Sequence, residues 1–454
     1  MVEVTVFAAL GTNLGEKLSN LEAAIDMLNV LAGHVLETSR LYCTAPQYVE
    51  DQPSFFNLVL KMTTTLSPQA LLEAFKTIER EIGRVQSFRY GPRLIDVDVL
   101  FYGNEVVATE TSDGPLIVPH ERIHERDFVL APFCDIAPEF VHPGLQLSMR
   151  ELYAELIKKS QSGGGHAYAA PVVMLPVAKS LPWQLGSKTF VMGILNVTPD
   201  SFSDGADLQS AQDAIERALD MERQGVDILD IGGESSRPGA EPVTLEEELK
   251  RVIPVIQGIR AKSAIPISID TTKAEVARQA ILAGANVVND ISAGLKDADM
   301  LATVASLRVP IVLMHMRGTP KTMSGLMQYE DLVTEVAEVL NERVQAAISA
   351  GIFTWNIVVD PGIGFAKAGE LNLQLLRDLS TVKKACRDLP MLVGASRKGF
   401  IGTICGRPDP KDRAWGTAAT CCAAIAGRAD ILRVHDGPEM VDVAKMSDAI
   451  WRKA

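Results

Sequence analysis

From residue 190 onward the chain repeats one unit: a short apolar run ending in a polar or charged residue, then a stretch with helical spacing. The runs are Phe190–Asn196, Ile228–Gly232, Pro266–Asp270, Val287–Asp290, Ile311–His315, Ile357–Asp360, Met391–Ser396 and Ile431–His435. Between them, Ala211–Gln224, Leu245–Arg260, Ala274–Ala283, Asp331–Ala350 and Leu371–Ala385 carry apolar residues three and four apart. Short continuous apolar strands suit a parallel sheet covered on both faces, and eight strand-then-helix units predict a TIM (β/α)8 barrel. Active sites of such barrels lie at the C-terminal strand ends. Asn196, Glu234, Asp270, Asn289, Asp290, His315, Asp360, Ser396, Arg397, Lys398, Arg433 and His435 all fall there. Helix caps and turn formers account for any one Asp or Asn, but poorly for polar residues after all eight strands. His315 reads as a strand-end core histidine and His435 as functional.

The preceding sequence is organised differently. Val4–Leu10, Phe56–Met62 and Asp96–Phe101 read as strands, and Asn20–Leu31 and Pro68–Ile82 as helices, predicting an α+β sandwich. Ser162-Gly163-Gly164-Gly165 followed by Pro171, Pro176 and Pro182 reads as a linker. The expected organisation is a first domain over 1–158, a linker over 159–183 and the barrel over 184–454.

The net charge of −13 disfavours nucleic-acid and anionic-membrane partners, so anionic ligands require local arginine, lysine or backbone N–H groups. The six cysteines show no zinc-ligand spacing, and no apolar run approaches the roughly 18 residues that span a bilayer. The expected setting is the cytoplasm or, with a transit peptide absent from this sequence, the mitochondrial matrix.

Arg84, Arg89, Arg93, Asp96 and Asp98 crowd into fifteen residues. On a strand, Asp96 and Asp98 project from one face, and their repulsion is relieved by a cation such as Mg²⁺ carrying nucleotide phosphates. Neighbouring guanidinium groups suit phosphate oxygens. A solvated salt-bridge cluster is the alternative. Neither a P-loop nor a Rossmann glycine motif is present in the sequence.

Gly11-Thr12-Asn13-Leu14, Tyr42–Pro46, Phe55-Phe56-Asn57, Tyr90–Asp98, Val118-Pro119-His120 and Arg126-Asp127-Phe128 resemble, in order, 6-hydroxymethyl-7,8-dihydropterin pyrophosphokinase. The resemblance implies a ferredoxin-like α+β sandwich, with ATP as co-substrate and two Mg²⁺ ions on Asp96 and Asp98. It places Arg84, Arg89, Arg93, His120 and Arg126 on the ATP phosphates, and Thr44, Ala45, Phe55, Asn57 and Phe128 around the pterin. Arg84, Arg93, Asp96 and Asp98 are the implied catalytic groups. Gln86 stands where many bacterial members carry arginine.

Gly193–Gly205, Asp230–Ala240, Ser268-Ile269-Asp270, Asn289-Asp290-Ile291, Leu313–Met316, Asp360–Phe365, Gly394–Gly399 and Arg433–Asp436 resemble dihydropteroate synthase. That resemblance implies a pterin site of Asp270, Asn289, Met314, Asp360, Phe365 and Lys398. It puts the diphosphate on Ser236, Arg433 and His435, p-aminobenzoate near Arg237, Ser396 and Lys398, and one Mg²⁺ on Asn196. Lys398, Arg433 and His435 are its implied catalytic residues. Asp200–Gly205 and Arg317–Met323 are expected to order over the site. Ser236 keeps the hydroxyl of the threonine found in many members.

The whole chain thus resembles the bifunctional folate-biosynthesis enzymes of plants, which implies pyrophosphoryl transfer from ATP followed by condensation with p-aminobenzoate. Small-molecule substrates are the implied partners, along with a homodimer or higher homo-oligomer formed through the barrel. The rival readings are a domain retained only for binding or assembly, and a pterin-dependent methyltransferase barrel.

Overall fold

The computed structural model describes residues 2–47, 49–84, 91–111, 114–162, 169–178, 181–197, 207–235 and 241–452. It divides into two compact units, Met1–Met174 with Phe353–Trp355, and Leu175–Ile352 with Asn356–Ala454.

In the first unit, β1 (Val4–Thr12), β2 (His34–Thr38), β3 (Leu41–Thr44), β4 (Phe55–Thr64) and β5 (Asp96–Tyr102) build an antiparallel sheet. The order is β5-β1-β4-β3, with β2 pairing the far half of β4. A separate hairpin joins β6 (Val107–Thr111) to β7 (Gly114–Val118). Alternation on β1 sends Val6, Ala8 and Leu10 into one core with Leu58, Leu60 and Val97. Leu21, Ile25 and Leu28 of the helix Lys17–Leu31, and Leu71, Phe75 and Ile78 of the helix Pro68–Glu81, fill that core. Ser67 caps the second helix by accepting from Ala70 N, and Pro68 takes the first-turn position where an N–H has no partner to lose. On the opposite face, Phe7, Phe101, Phe133 and Phe140 meet with ring centroids 4.7 to 6.4 Å apart, beneath the helices Asp127–Ile136 and Met149–Ser162.

The predicted linker is partly regular. The helix Met149–Ser162 runs past residue 158, and β8 (Val172–Ala178) and β9 (Leu181–Gln184) occupy the proline-containing segment. Val172, Val173 and Met174 extend the first sheet by pairing with Cys43, Tyr42 and Leu41. Prolines at 171, 176 and 182 masked this in the sequence, although Pro171 precedes β8 and Pro176 lies beyond the Val172–Met174 stretch that pairs with β3.

In the second unit, β10 (Phe190–Asn196), β11 (Ile228–Gly232), β12 (Ile267–Asp270), β13 (Val287–Asp290), β14 (Ile311–Met314), β15 (Ile357–Asp360), β16 (Leu392–Val393) and β17 (Ile431–Val434) run parallel. Successive neighbours pair from β10 through β15, β17 pairs both β10 and β16, and a bridge between Val359 and Met391 brings the ends together. β16 is shorter than predicted: after Val393 the chain passes Gly394 and turns through Arg397, whose left-handed φ of 59° does not fit a ladder. The helix predicted over Leu371–Ala385 is two, Glu370–Arg377 and Leu379–Ala385, divided at Asp378.

A period of two organises this unit. Ile228, Val287, Val312, Val358, Leu392 and Ile431 point inward with Phe190 and Met192, and Leu175, Val177 and Trp183 close the layer from below. The alternate residues, among them Leu229, Ile269, Val288, Leu313, Val359 and Leu432, pack outward on the helices. Two residues beyond the apolar inward layer lie Asp230, Asn289, Met314, Asp360 and Arg433. Each strand is thus apolar at its base and carries chemistry one inward step higher. Trp183 stacks on Phe190 at 3.9 Å between centroids, with an interplanar angle of 1°. Trp183→Ala is expected to destabilise the second unit by about 3–5 kcal/mol. Denaturant unfolding followed through separate probes in the two units checks this; an unchanged second-unit transition would contradict it.

Candidate active sites

The first site forms where the polar ends of three strands lie side by side. Gly11 pairs with Asn57 on one flank and Asp96 on the other, and Ala9 pairs with Asp98. A side chain at Gly11 would come within 2.8 Å of Asn57 Oδ1, so glycine keeps the floor open. The resulting cavity, about 320 Å³, is lined by Thr44, Ala45, Phe55, Asn57, Arg84, Arg93, Asp96, Asp98, His120, Arg126 and Phe128. Asn57 Nδ2 donates to Thr44 Oγ1 at 2.7 Å. Arg84 Nη1 reaches one oxygen of Asp96 and Arg93 Nη1 the other, each at 2.5 Å. Arg126 Nη1 lies 3.2 Å from His120 Nε2 and 3.9 Å from Asp98.

Burial would raise the Asp96 carboxyl, but Arg93 and Arg84 outweigh it and hold the group below the usual carboxylate range. Burial and the neighbouring Asp96 raise Asp98. Burial lowers His120, with Asp98 opposing and Arg126 adding to the shift. Two carboxylates on one strand face, one of them destabilised by the other, fit a magnesium ion that also takes phosphate oxygens, since Mg²⁺ is held by one or two carboxylates plus substrate. No cluster of three or more His, Cys, Asp or Glu that could hold a metal occurs among the described residues. Lys76, Glu79 and Gln47 are also at the site and were not singled out in the sequence. Glu79 Oε1 accepts from Val97 N at 3.0 Å and from Arg84 at 2.7 Å, tying the arginine to the strand that carries the aspartates.

The second site is the polar inward layer of the barrel. Arg433 Nε donates to Asp230 and Nη2 to Asp270, both at 2.6 Å, and Asn289 Nδ2 donates to Asp230 at 3.1 Å. Burial raises Asp270 to about 7 against the pull of Arg433, with Asp230 adding to the rise. Burial also raises Asp360, which accepts from Gly362 N at 2.7 Å. Lys398 donates to Ile363 O, its Nζ lies 4.1 Å from the Phe365 ring centroid, and burial pushes it down to about 7 with Asp360 opposing. Ser396 Oγ accepts from His435 N at 3.1 Å and lies 3.1 Å from His435 Nδ1. Asn196 stands at the end of β10, and its Oδ1 would be 3.7 Å from a side chain at Gly232. One amide oxygen at a strand end would fit a magnesium ion whose remaining ligands come from a bound substrate.

Asp290 accepts from Ser292 N, Ser292 Oγ and Gly294 N, so it shapes a turn and leaves the site to Asn289. Glu234 is held by Lys273 at 2.5 Å. Arg317 lies 3.8 Å over the Tyr329 ring and pairs with Glu335, which anchors one end of Arg317–Met323. Gln86, Arg89, Ser236, Arg237 and Asp200–Gly205 lie outside the described residues. Asp230 was not singled out in the sequence, although the signal was available: it is two residues past Ile228, in the same step as Arg433 past Ile431.

Two family models match the chain: 7,8-dihydro-6-hydroxymethylpterin-pyrophosphokinase over residues 7–138 and pterin binding enzyme over 192–435. The folate synthesis bifunctional protein, mitochondrial, of Arabidopsis thaliana is 41% identical over 99% of this chain and 84% of its own length. The chain belongs to the bifunctional folate synthesis family. The folic acid synthesis protein fol1 of Schizosaccharomyces pombe is 44% identical over 98% of this chain, which spans 59% of that protein. A crystal structure of HPPK-DHPS in complex with substrates superposes over all of both chains with a TM-score of 0.83 at 22% identity, a likeness of fold.

Arg433 is the only described cation in direct contact with Asp230, whose side chain is wholly buried. Arg433→Met therefore leaves two buried carboxylates facing each other and is expected to cost about 3–5 kcal/mol. Adding Asp230→Asn should recover part of that loss in denaturant titrations; strictly additive losses would contradict the coupling.

Proposed function

We propose that the chain catalyses two consecutive steps of folate biosynthesis. The first unit moves the pyrophosphoryl group of ATP onto the hydroxyl of 6-hydroxymethyl-7,8-dihydropterin, releasing AMP. The barrel then joins the dihydropterin diphosphate to p-aminobenzoate, giving 7,8-dihydropteroate and diphosphate. The observation that carries this reading is the meeting, in each unit, of pterin-edge groups with phosphate-binding cations.

In the first reaction Thr44 and Asn57 match the donor and acceptor edge of the pterin, Ala45, Phe55 and Phe128 flank its ring, and the hydroxymethyl oxygen faces the aspartates. Arg84, Arg89, Arg93, His120 and Arg126 take triphosphate oxygens as the bridging bond breaks, a transfer governed by positioning and charge. Asp96 and Asp98 would hold two Mg²⁺ ions, which when bound neutralise phosphate charge.

In the second, Asp270, Asn289 and Asp360 hold the pterin edge, with Met314, Phe365 and Lys398 completing its pocket. The methylene C–O bond breaks, its electron pair leaves with diphosphate, and the p-aminobenzoate nitrogen forms the new C–N bond and loses a proton. Ser236, Arg433 and His435 stabilise the departing charge, Asn196 would hold one Mg²⁺, and Arg237, Ser396 and Lys398 seat the amine substrate. A corrinoid methyltransferase would have no use for the Ser396–Lys398 group.

The protein is a homo-oligomer formed through barrel helices. This is supported by Trp415, exposed at 89%, and by exposed Ile404, Met446, Ile450 and Trp451 on the last three helices. Plant relatives named as mitochondrial support the mitochondrial matrix as its compartment, with the cytoplasm as the alternative.

Asp96→Ala should abolish AMP formation while preformed dihydropterin diphosphate is still condensed; Lys398→Ala should do the reverse. Loss of both half-reactions in either folded variant would refute two separate sites. Sedimentation should give at least twice the chain mass for the wild type and the single-chain mass for Trp415→Glu/Trp451→Glu. A monomeric wild type would refute the assembly.

A further inference from the structure

Lys367 is a buried lysine that neither reaction employs. It is 3% exposed and lies just after the strand-end turn Gly362–Phe365. Its Nζ donates to Gly362 O at 3.1 Å and to Phe365 O at 3.0 Å, and lies 2.8 Å from His315 Nδ1. Burial pushes Lys367 down to about 7, with Asp360 opposing; its ammonium form has three donors and no acceptor, so these three partners exhaust it. Burial and Lys367 together push His315 down to about 3, so its ring is neutral beside the amine. No carboxylate lies within ion-pair distance of Lys367 among the described residues, so its burial is not offset by a direct salt bridge.

The turn it grips reaches the pterin site through three contacts. Ile363 O accepts from Lys398, the Phe365 ring lies under the same amine, and Gly362 N donates to Asp360. The turn has little slack. Gly362 and Gly364 are left-handed, with φ of 69° and 78°. A side chain at Gly362 would strike His315 O at 2.0 Å, and one at Gly364 would strike Lys398 Cδ at 2.6 Å. Asn372 secures the outer side, accepting from Gly364 N at 2.7 Å and donating to Lys367 O at 3.0 Å. Hydrogen bonds from one ammonium to both ends of a four-residue turn fix its curvature, and with it the height of Phe365 and Lys398.

We propose that Lys367 is a positioning residue for the condensation: by clamping the Gly362–Phe365 turn from beneath, it sets the floor of the pterin pocket without touching substrate. The inference rests on the barrel acting as the synthase. A filler role predicts that a side chain of equal length and no donors serves as well, whereas a clamp predicts selective loss of pterin binding.

The test uses the full chain and compares wild type, Lys367→Met and Lys367→Gln in condensation of dihydropterin diphosphate with p-aminobenzoate, alongside thermal unfolding. For Lys367→Met the KM for the pterin should rise at least tenfold with kcat within about threefold. Lys367→Gln, which keeps two N–H donors, should recover part of that loss. A folded Lys367→Met with pterin KM within twofold of wild type, or one losing kcat at unchanged KM, overturns the proposal. If Lys367→Met does not fold, Lys367→Gln decides: a threefold or greater rise in pterin KM supports the clamp, and a smaller one overturns it. If the wild type does not condense at all, the synthase reading itself fails. Pterin dissociation constants by fluorescence titration then judge the clamp by the same margins.

Discussion

Arg433 spans the barrel mouth between two carboxylates from different strands, Asp230 on β11 and Asp270 on β12, while itself standing on β17. Burial drives Asp270 up to about 7 even with Arg433 pulling the other way. One guanidinium therefore sets the charge of the polar layer and links residues about two hundred positions apart. The first site inverts the arrangement. There a single carboxylate, Asp96, sits between Arg84 and Arg93. In both places the guanidinium groups are partly buried and held in position by carboxylates, so on the proposed function little reorganisation would remain when a phosphate oxygen replaces a carboxylate oxygen.

On the proposed function, this is how a chain of net charge −13 would handle two strongly anionic ligands. The overall field opposes them, and the attraction is local. On the proposed function the two steps are also linked chemically, since a diphosphate ester made by the first would suit Arg433 and His435 in the second as a source of the leaving group. A domain kept only for binding would be free to lose its cation-carboxylate pairs, yet both sets are present.

Much of the fold was legible because its units repeat. Seven of the eight barrel strands lie within a residue of their predicted bounds; the eighth, at Leu392–Val393, is cut short by the Gly394–Arg397 turn. The candidate residues at strand ends were legible for the same reason, and the two family resemblances rested on long runs. β2 and β3 were missed because short strands flanked by Gly33 and Arg40 carry little periodicity, and β8 and β9 because their prolines read as a linker. Asp230 lies inside a strand rather than at its end, so a rule about strand ends passed over it. Lys367 has no signal of its own: its role arises from a turn folding over it, which is a property of three dimensions.

The most direct measurement is a single incubation of the chain with 6-hydroxymethyl-7,8-dihydropterin, ATP, Mg²⁺ and p-aminobenzoate, with AMP and 7,8-dihydropteroate quantified over time. Both products are expected, AMP first, with total dihydropteroate approaching total AMP when p-aminobenzoate is in excess. AMP without dihydropteroate, or neither product from a folded chain, would contradict two working sites on one polypeptide.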